Sequence, residues 1–270
     1  MQVAVIQMVS APEVDVNLLR ADALLAEAAR RGAELAVLPE YFCLMGRAET
    51  DKIDARENSG SGPIQSFLAD AALRHGLWLA GGSIPLATPA PDRVLNTTLV
   101  FDPRGQVRAR YDKRHLFAFQ RDEERYAEAD TIVPGTDIAA FDLNGLRIGL
   151  SICYDLRFPE HYRTLSDPDP CDLFLVPAAF TYTTGEKHWE LLLRARAVEN
   201  LAYVAASAQG GRHPNGRRTW GHSMIIDPWG EVLAMQSEGE GVVVASVDRD
   251  RLATVRASLP ALQHRLRFPG

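Results

Sequence analysis

The sequence predicts an α/β protein built on mixed β-sheets. Three observations carry that prediction: short apolar runs alternate with amphipathic helical stretches, the pattern opens as βαβαβ, and hairpins with Pro and Gly at their turns then interrupt it. A chain of 270 residues can stack two such sheets between helical layers. No linker or low-complexity segment divides it, so a single domain over residues 1–270 is expected. The stretches from Pro85 to Pro91 and from Ser166 to Pro170 are too short to separate domains and read as surface loops.

The elements follow in order. Met1 to Met8 alternates like a strand. Leu18, Ala21, Leu25 and Ala28 then recur at helical spacing, with Asn17 placed to cap the start and Gly32 to stop the helix. The run Leu35 to Leu38 is of buried-strand type and ends at Pro39, which has no N–H to continue a ladder, so Glu40 stands where a strand leaves its sheet. A helix from about Ile64 to Leu73 and a strand over Leu77 to Ala80 complete the opening pattern. Thr98 to Phe101, the turn Asp102-Pro103-Arg104-Gly105 and Gln106 to Arg110 form a hairpin. The same grammar returns at Ser223 to Ile226, Asp227-Pro228-Trp229-Gly230 and Glu231 to Ala234, and more loosely around Leu143-Asn144-Gly145, which suggests two similar halves.

Composition narrows the function classes. Hydrophobic residues make up 46% and charged residues 24%, enough apolar material for a sizeable core and too much for default disorder. The formal charge of −6 excludes a generally basic, nucleic-acid-binding surface. No apolar run reaches the ~20 residues that span a bilayer, so no membrane helix is expected. The start lacks a basic, cleavable leader pattern, and a cytoplasmic location is the expectation. Cys43, Cys153 and Cys171 are far apart and in no C-x-x-C arrangement, which suggests neither a disulfide framework nor a thiolate zinc site.

Cys153 follows the apolar strand Ile148-Gly149-Leu150, and Pro159 suits the first turn of a following helix. That places the cysteine in a strand-to-helix turn, where backbone N–H groups are left free beside a potential nucleophile. Two other readings compete: a small buried cysteine, and a Cys–His pair drawing on His115, His188 or His222. Between Val107 and Lys113 the odd positions are apolar and the even ones charged until Lys113 itself falls on the apolar face. A buried ammonium needs carboxylates beside it, and Glu40, also at a strand exit, is the natural partner. If the strand ends at Tyr111, Lys113 is merely solvated.

Leu38-Pro39-Glu40, Tyr111-Asp112-Lys113-Arg114-His115-Leu116-Phe117 and Ser151-Ile152-Cys153-Tyr154-Asp155-Leu156-Arg157-Phe158-Pro159-Glu160 resemble the three catalytic blocks of the nitrilase superfamily of carbon–nitrogen hydrolases. The resemblance continues through Ala178 to Thr181, Thr184-Gly185, His188 to Ala197 and Gly221 to Gly230, and so covers nearly the whole chain. It implies a four-layer α-β-β-α sandwich with two mixed sheets and assembly as a homodimer or higher homo-oligomer. It also implies Cys153 as nucleophile, Glu40 as general base and later acid, Lys113 as stabiliser of the tetrahedral oxyanion, and no metal or organic cofactor. Glu128, in Tyr126-Ala127-Glu128, matches the family's second glutamate, with Asp122, Glu123 and Glu124 as acidic neighbours in a segment without clear periodicity.

The chemistry supports those roles independently. An amide carbonyl is a poor electrophile, so the thiol must lose its proton as it attacks, and a carboxylate can take it. Charge developing on the carbonyl oxygen can be held by an ammonium and by the backbone N–H of Tyr154. Within the family, Arg157 and the segment from Phe180 to Thr184 resemble the branch holding deaminated glutathione amidase and ω-amidase, both acting on small α-keto acid amides. That implies Arg157, Phe180 and Thr184 as substrate-binding residues. An arginine there can grip a carboxylate in bidentate fashion, or else form a structural salt bridge to Asp155 or Glu160. Thr183 and Glu186 read as a capping box for the helix carrying Glu190 and Arg194. The basic loop Arg212 to Arg218 favours deaminated glutathione over the ω-amidase substrate, and could meet a larger acidic molecule or be a solvated turn. The Ser166 to Cys171 loop departs from the branch pattern without touching the catalytic blocks, and Cys43 and Cys171 are assigned to packing. The reading from another class is a non-catalytic scaffold that retains the fold, against which the intact Glu40, Lys113 and Cys153 argue.

Overall fold

The first strand explains the layering. Val3 and Val5 enter one apolar core while Ala4 and Ile6 enter another. The next strand repeats this, with Leu35 and Val37 on one side and Ala36 and Leu38 on the other. Successive side chains of a strand point to opposite faces, so a strand apolar on both faces must be covered on both. The computed structural model, which describes residues 1–121 and 124–266, shows how.

One sheet contains β1 (Gln2–Gln7), β2 (Leu35–Val37), β3 (Trp78–Ala80), β4 (Ile84–Ala87), β5 (Val94–Phe101) and β6 (Val107–Asp112). Its order is β17-β1-β2-β3-β5-β4, with β6 on β5 and the closing strand β17 spanning Gly241–Ser246. A ribbon of β7 (Ala118–Arg121) and β8 (Glu124–Ala127) stands apart. The second sheet contains β9 (Ala140–Leu143), β10 (Leu146–Leu150), β11 (Leu173–Ala178), β12 (Tyr203–Ala208), β15 (Ser223–Ile226) and β16 (Val232–Gln236), in the order β16-β15-β12-β11-β10-β9. A second ribbon pairs β13 (Gly210–Arg212) with β14 (Arg218–Trp220). Both sheets are mixed: β1, β2 and β3 run parallel, as do β10, β11 and β12, and their remaining pairings are antiparallel.

The sheets face each other through Val3, Val5 and Val37 on one side and Ile148, Leu175 and Ala205 on the other. Helices α1 (Val14–Arg30) and α3 (Pro63–His75) cover the outer face of the first sheet with Ala21, Leu25, Leu68 and Ala72. Helices α4 (Pro159–Leu165) and α5 (Tyr182–Asn200) bring Tyr162, Trp189 and Leu193 to the second. The result is the four-layer α-β-β-α sandwich that the resemblance implied. The short α2 (Asp51–Asp54) and the closing α6 (Arg249–Ser258) complete the helices. Among the described residues no helix is long and apolar enough to cross a membrane.

The two hairpins share their turn chemistry. Asp102 Oδ1 accepts the N–H groups of Arg104 and Gln106, and Asp227 Oδ1 accepts those of Trp229 and Glu231. Gly105 and Gly230 take the left-handed conformation that closes each turn, at φ 73° and 88°. Three local expectations are corrected. Helix α1 starts four residues earlier than expected, and Asn17 does not cap it: its buried amide binds Ala11 and the Cys43 carbonyl, tying two loops together. The cap of α5 is Thr181, whose Oγ1 accepts the Thr184 N–H, so Thr183 lies within the first turn rather than before it. Pro85 belongs to β4, an edge strand, where its missing N–H costs no ladder bond. Cys43 and Cys171 are fully buried free thiols.

Candidate active site

Three strand exits converge. Leu38 still donates to the Ala80 carbonyl as β2 ends, Pro39 breaks the ladder, and Glu40 turns inward with 2% of its surface exposed. Tyr41 follows at φ 52°. The Lys113 N–H donates to the Asn96 carbonyl, so the β5–β6 ladder carries one residue past β6 and keeps Lys113 on the buried face, 1% exposed. Cys153 opens a 3₁₀ turn, Cys153–Arg157, after β10, with φ at 48°. A non-glycine residue in that region stores roughly 1–3 kcal/mol of strain, which the surrounding structure must hold.

Lys113 Nζ lies 2.8 Å from Glu40 Oε1 and 3.0 and 2.8 Å from Glu128 Oε1 and Oε2. Glu40 is held further: Asn96 Nδ2 donates to Oε1 at 2.9 Å and the Ala179 N–H to Oε2 at 2.9 Å. Each carboxylate oxygen has two acceptor sites. Oε1 is therefore filled, while Oε2 keeps one free, and among the charged neighbours Glu40 acts most strongly on the Cys153 thiol. Glu128 Oε2 also accepts the Phe117 N–H at 2.7 Å, so its tie to Lys113 is anchored in backbone. Asp122 and Glu123, the other acidic residues near it, lie outside the described residues, as does the side chain of Glu124.

The electrostatics follow from burial and charge. Burial alone would lower the Lys113 ammonium; Glu128 and Glu40 outweigh it and hold the pKa well above the ordinary lysine value. Burial, and then the Glu40 charge, push the Cys153 thiol well above its ordinary value against the opposing pull of Lys113. The resting sulfur is thus a protonated thiol, and it needs a base. His115, His188 and His222 are engaged elsewhere, with Asp155, Arg157 and the Trp220 carbonyl respectively. The Tyr154 N–H belongs to the first turn of the 3₁₀ segment, where N–H groups have no intrahelical acceptor.

Beneath Cys153, Asp155 joins the lysine segment to the nucleophile turn. Its Oδ2 accepts from Tyr111 Oη at 2.7 Å and the Ile152 N–H at 2.8 Å, and its Oδ1 from the His115 N–H and ring. This is why Asp155 is no salt-bridge partner for Arg157. Among the described residues Arg157 pairs with no carboxylate; its guanidinium lies 5.3 Å from the Phe180 ring centroid and 5.7 Å from that of Tyr154.

The cleft has two lobes that meet at Cys153 and Phe117. Tyr154, Arg157, Phe180, Thr181 and Thr184 line one; Glu40, Tyr41, Lys52, Tyr126, Glu128 and Arg217 are among those lining the other. Seven of the eight residues expected at the site thus border one cleft, and Lys113 lies buried behind it, bonded to Glu40 and Glu128. Sequence reasoning assigned no role to Tyr41, Asn96 and Lys52, which belong to no pattern of their own, nor to Phe117 and the Ala179 N–H, which stand inside blocks of the resemblance.

Fold and site define the class: a carbon–nitrogen hydrolase of the nitrilase superfamily, acting on amides other than peptide bonds. The chain belongs to the carbon-nitrogen hydrolase family, whose profile matches residues 2–257. It is 42% identical over 268 residues to a deaminated glutathione amidase of Synechocystis sp., covering 97% of each chain. It is 35% identical over 265 residues to omega-amidase NIT2 of Xenopus tropicalis, covering 98% of this chain and 94% of that one. Among solved structures, the C. elegans NitFhit protein superimposes with a TM-score of 0.86 at 36% identity, over 98% of this chain and 64% of that longer one.

Proposed function

We propose that the protein hydrolyses a small α-keto acid amide, deaminated glutathione above others, through a thioester on Cys153. The observation that carries the substrate class is Arg157, partly buried over Phe180 and Tyr154 on the rim beside Cys153 without a carboxylate of its own. A guanidinium lying beside two rings with no carboxylate partner can offer paired N–H donors to a planar anion, and an α-keto carboxylate suits them. The similarity to deaminated glutathione amidases supports the same substrate. The similarity to an omega-amidase supports a second reading, a dicarboxylate monoamide such as α-ketoglutaramate, which presents the same keto acid to Arg157.

Each step uses a group already placed. Glu40 Oε2 takes the Sγ proton as the sulfur attacks the amide carbon. The carbonyl oxygen becomes an oxyanion received by Lys113 and the Tyr154 N–H. Lys113 faces three carboxylate oxygens at rest; when Glu128 accepts through one oxygen, one ammonium proton turns to the oxyanion. Collapse breaks the C–N bond, and Glu40 returns the proton to the leaving nitrogen. Water, deprotonated by Glu40, then attacks the thioester, releasing the acid and restoring the thiol. Glu128 holds Lys113 in place throughout.

The active form is a homodimer or larger oligomer. Leu191, Val198 and Trp229 are exposed, and the α5 face meets the β15–β16 turn there through Arg194 Nε on the Gly230 carbonyl. This surface supports a subunit contact, which sedimentation of the wild type against Leu191→Glu checks. A single domain over residues 1–270 and a cytoplasmic location complete the reading; limited proteolysis and cell fractionation test them. The central experiment is mass spectrometry of protein mixed with deaminated glutathione. An adduct of the keto-acyl mass on Cys153, absent from Cys153→Ala, is expected. Turnover without any acyl adduct under rapid quench, or turnover by Cys153→Ala, sinks the mechanism.

A further inference from the structure

The lobe opposite Arg157 is furnished for an anion. Its space is about 410 Å³, against about 200 Å³ on the Arg157 side, both counting open mouths. It is lined by Glu40, whose carboxyl must face the departing nitrogen, so the leaving group lies there. Ammonia would need no anion-binding group there. Arg217 enters this lobe with its guanidinium 4.9 Å from the Tyr126 ring centroid. Among the described residues it forms no ion pair: its one side-chain hydrogen bond is to Met45 Sδ at 3.9 Å, and its buried Nε has no partner. The buried Tyr41 hydroxyl, on the same lining, has none either. Lys52 is paired with Glu49 at 2.6 Å, and Glu40 and Glu128 with Lys113, which leaves Arg217 as the charged side chain of that lining outside any ion pair among the described residues. Buried polar groups left unpaired cost free energy unless something binds them.

We infer that Arg217, helped by the Tyr41 hydroxyl, receives the carboxylate that deaminated glutathione carries on the leaving-group side of the scissile bond, and is the residue by which this site separates that substrate from primary amides. The inference rests on the amidase reading above and deepens it: Arg157 reads the acyl half and Arg217 the amine half. A primary amide such as α-ketoglutaramate uses only the first.

The test compares kcat/KM for deaminated glutathione, for its analogue with the terminal carboxylate converted to a carboxamide, and for α-ketoglutaramate, in wild type and Arg217→Gln. Ratios within one preparation cancel any loss of folded protein. The ratio of deaminated glutathione to α-ketoglutaramate should fall about 10- to 100-fold in Arg217→Gln, the range for a lost charged hydrogen bond. The wild type should lose a similar factor on the carboxamide, and the substitution should cost that analogue nothing further. A ratio unchanged by Arg217→Gln, or an equal loss on carboxylate and carboxamide, overturns the assignment while leaving the amidase intact. A wild type that hydrolyses none of the three overturns both.

Discussion

The Lys113 ammonium lies 2.8 Å from Glu40 Oε1 in a place where the lysine side chain has no exposure and the glutamate only 2%. Breaking such a pair from one side leaves an uncompensated buried charge, at a cost of about 3–5 kcal/mol. Lys113→Met is expected to lose stability on that scale in urea unfolding, because Glu40 and Glu128 then face each other unneutralised. Adding Glu128→Gln should restore part of the loss. A Lys113→Met variant as stable as wild type would show that the pair contributes nothing. In activity, losing the oxyanion donor is expected to lower kcat about 10²–10³-fold in any variant that stays folded.

Cys153→Ala is expected to lower kcat/KM at least about 10⁴-fold while the circular dichroism spectrum is unchanged, since nucleophile and base act as a unit. Residual turnover of deaminated glutathione above about 1% of wild type would point to another nucleophile.

Glu40→Gln removes the base and should cost about 10²–10⁴-fold in kcat. It also removes a negative charge beside the sulfur. Burial and Glu40 together raise the Cys153 thiol, so the substitution should move its pKa down, towards the ordinary value. The pH dependence of thiolate absorbance, with Cys43→Ala and Cys171→Ala in the background, reads this directly. An unchanged or higher thiol pKa contradicts the proximity of the two groups.

Asp155 gives a pH-dependent stability. Burial alone would raise its pKa, but the His115 hydrogen bond, the nearby His161, Tyr111 and the Ile152 N–H outweigh it, so the folded pKa lies below the ordinary value. A depressed carboxyl pKa stabilises the fold fully above the unfolded value of about 3.9 and loses that contribution as pH falls through the folded one. Asp155→Asn should therefore be less stable than wild type at neutral pH, with the gap closing below about pH 4. A gap that stays constant from neutral to acid assigns the effect to shape rather than charge.

Arg157→Ala should lower kcat/KM for α-ketoglutaramate about 10- to 100-fold, mostly through KM, and leave a neutral amide of similar size almost unaffected. Equal losses on both would make Arg157 a packing residue for Phe180 and Tyr154.

How far the residues announced their own positions differs case by case. Pro39 marked the exit where Glu40 stands, and Pro159 the turn after Cys153, because proline's missing N–H acts locally. The alternation around Tyr111 placed Lys113 inside, although Val107 at the other end of the same strand is 54% exposed. Asn17 misleads because its neighbours in sequence resemble a helix start, whereas its partner Cys43 is 26 residues away. Arg217 could be seen only as one charge in a basic loop.

Order along the chain thus determined the layers, the strand exits and the identity of the reacting groups, since periodicity and turn chemistry are local properties. Tertiary structure decided which groups face one another. Glu40 meets Asn96 across 56 residues and the Ala179 N–H across 139, and Arg217 comes to share a cavity with Glu40. Such contacts depend on how two sheets stack and where their loops end, and no short-range pattern records that geometry.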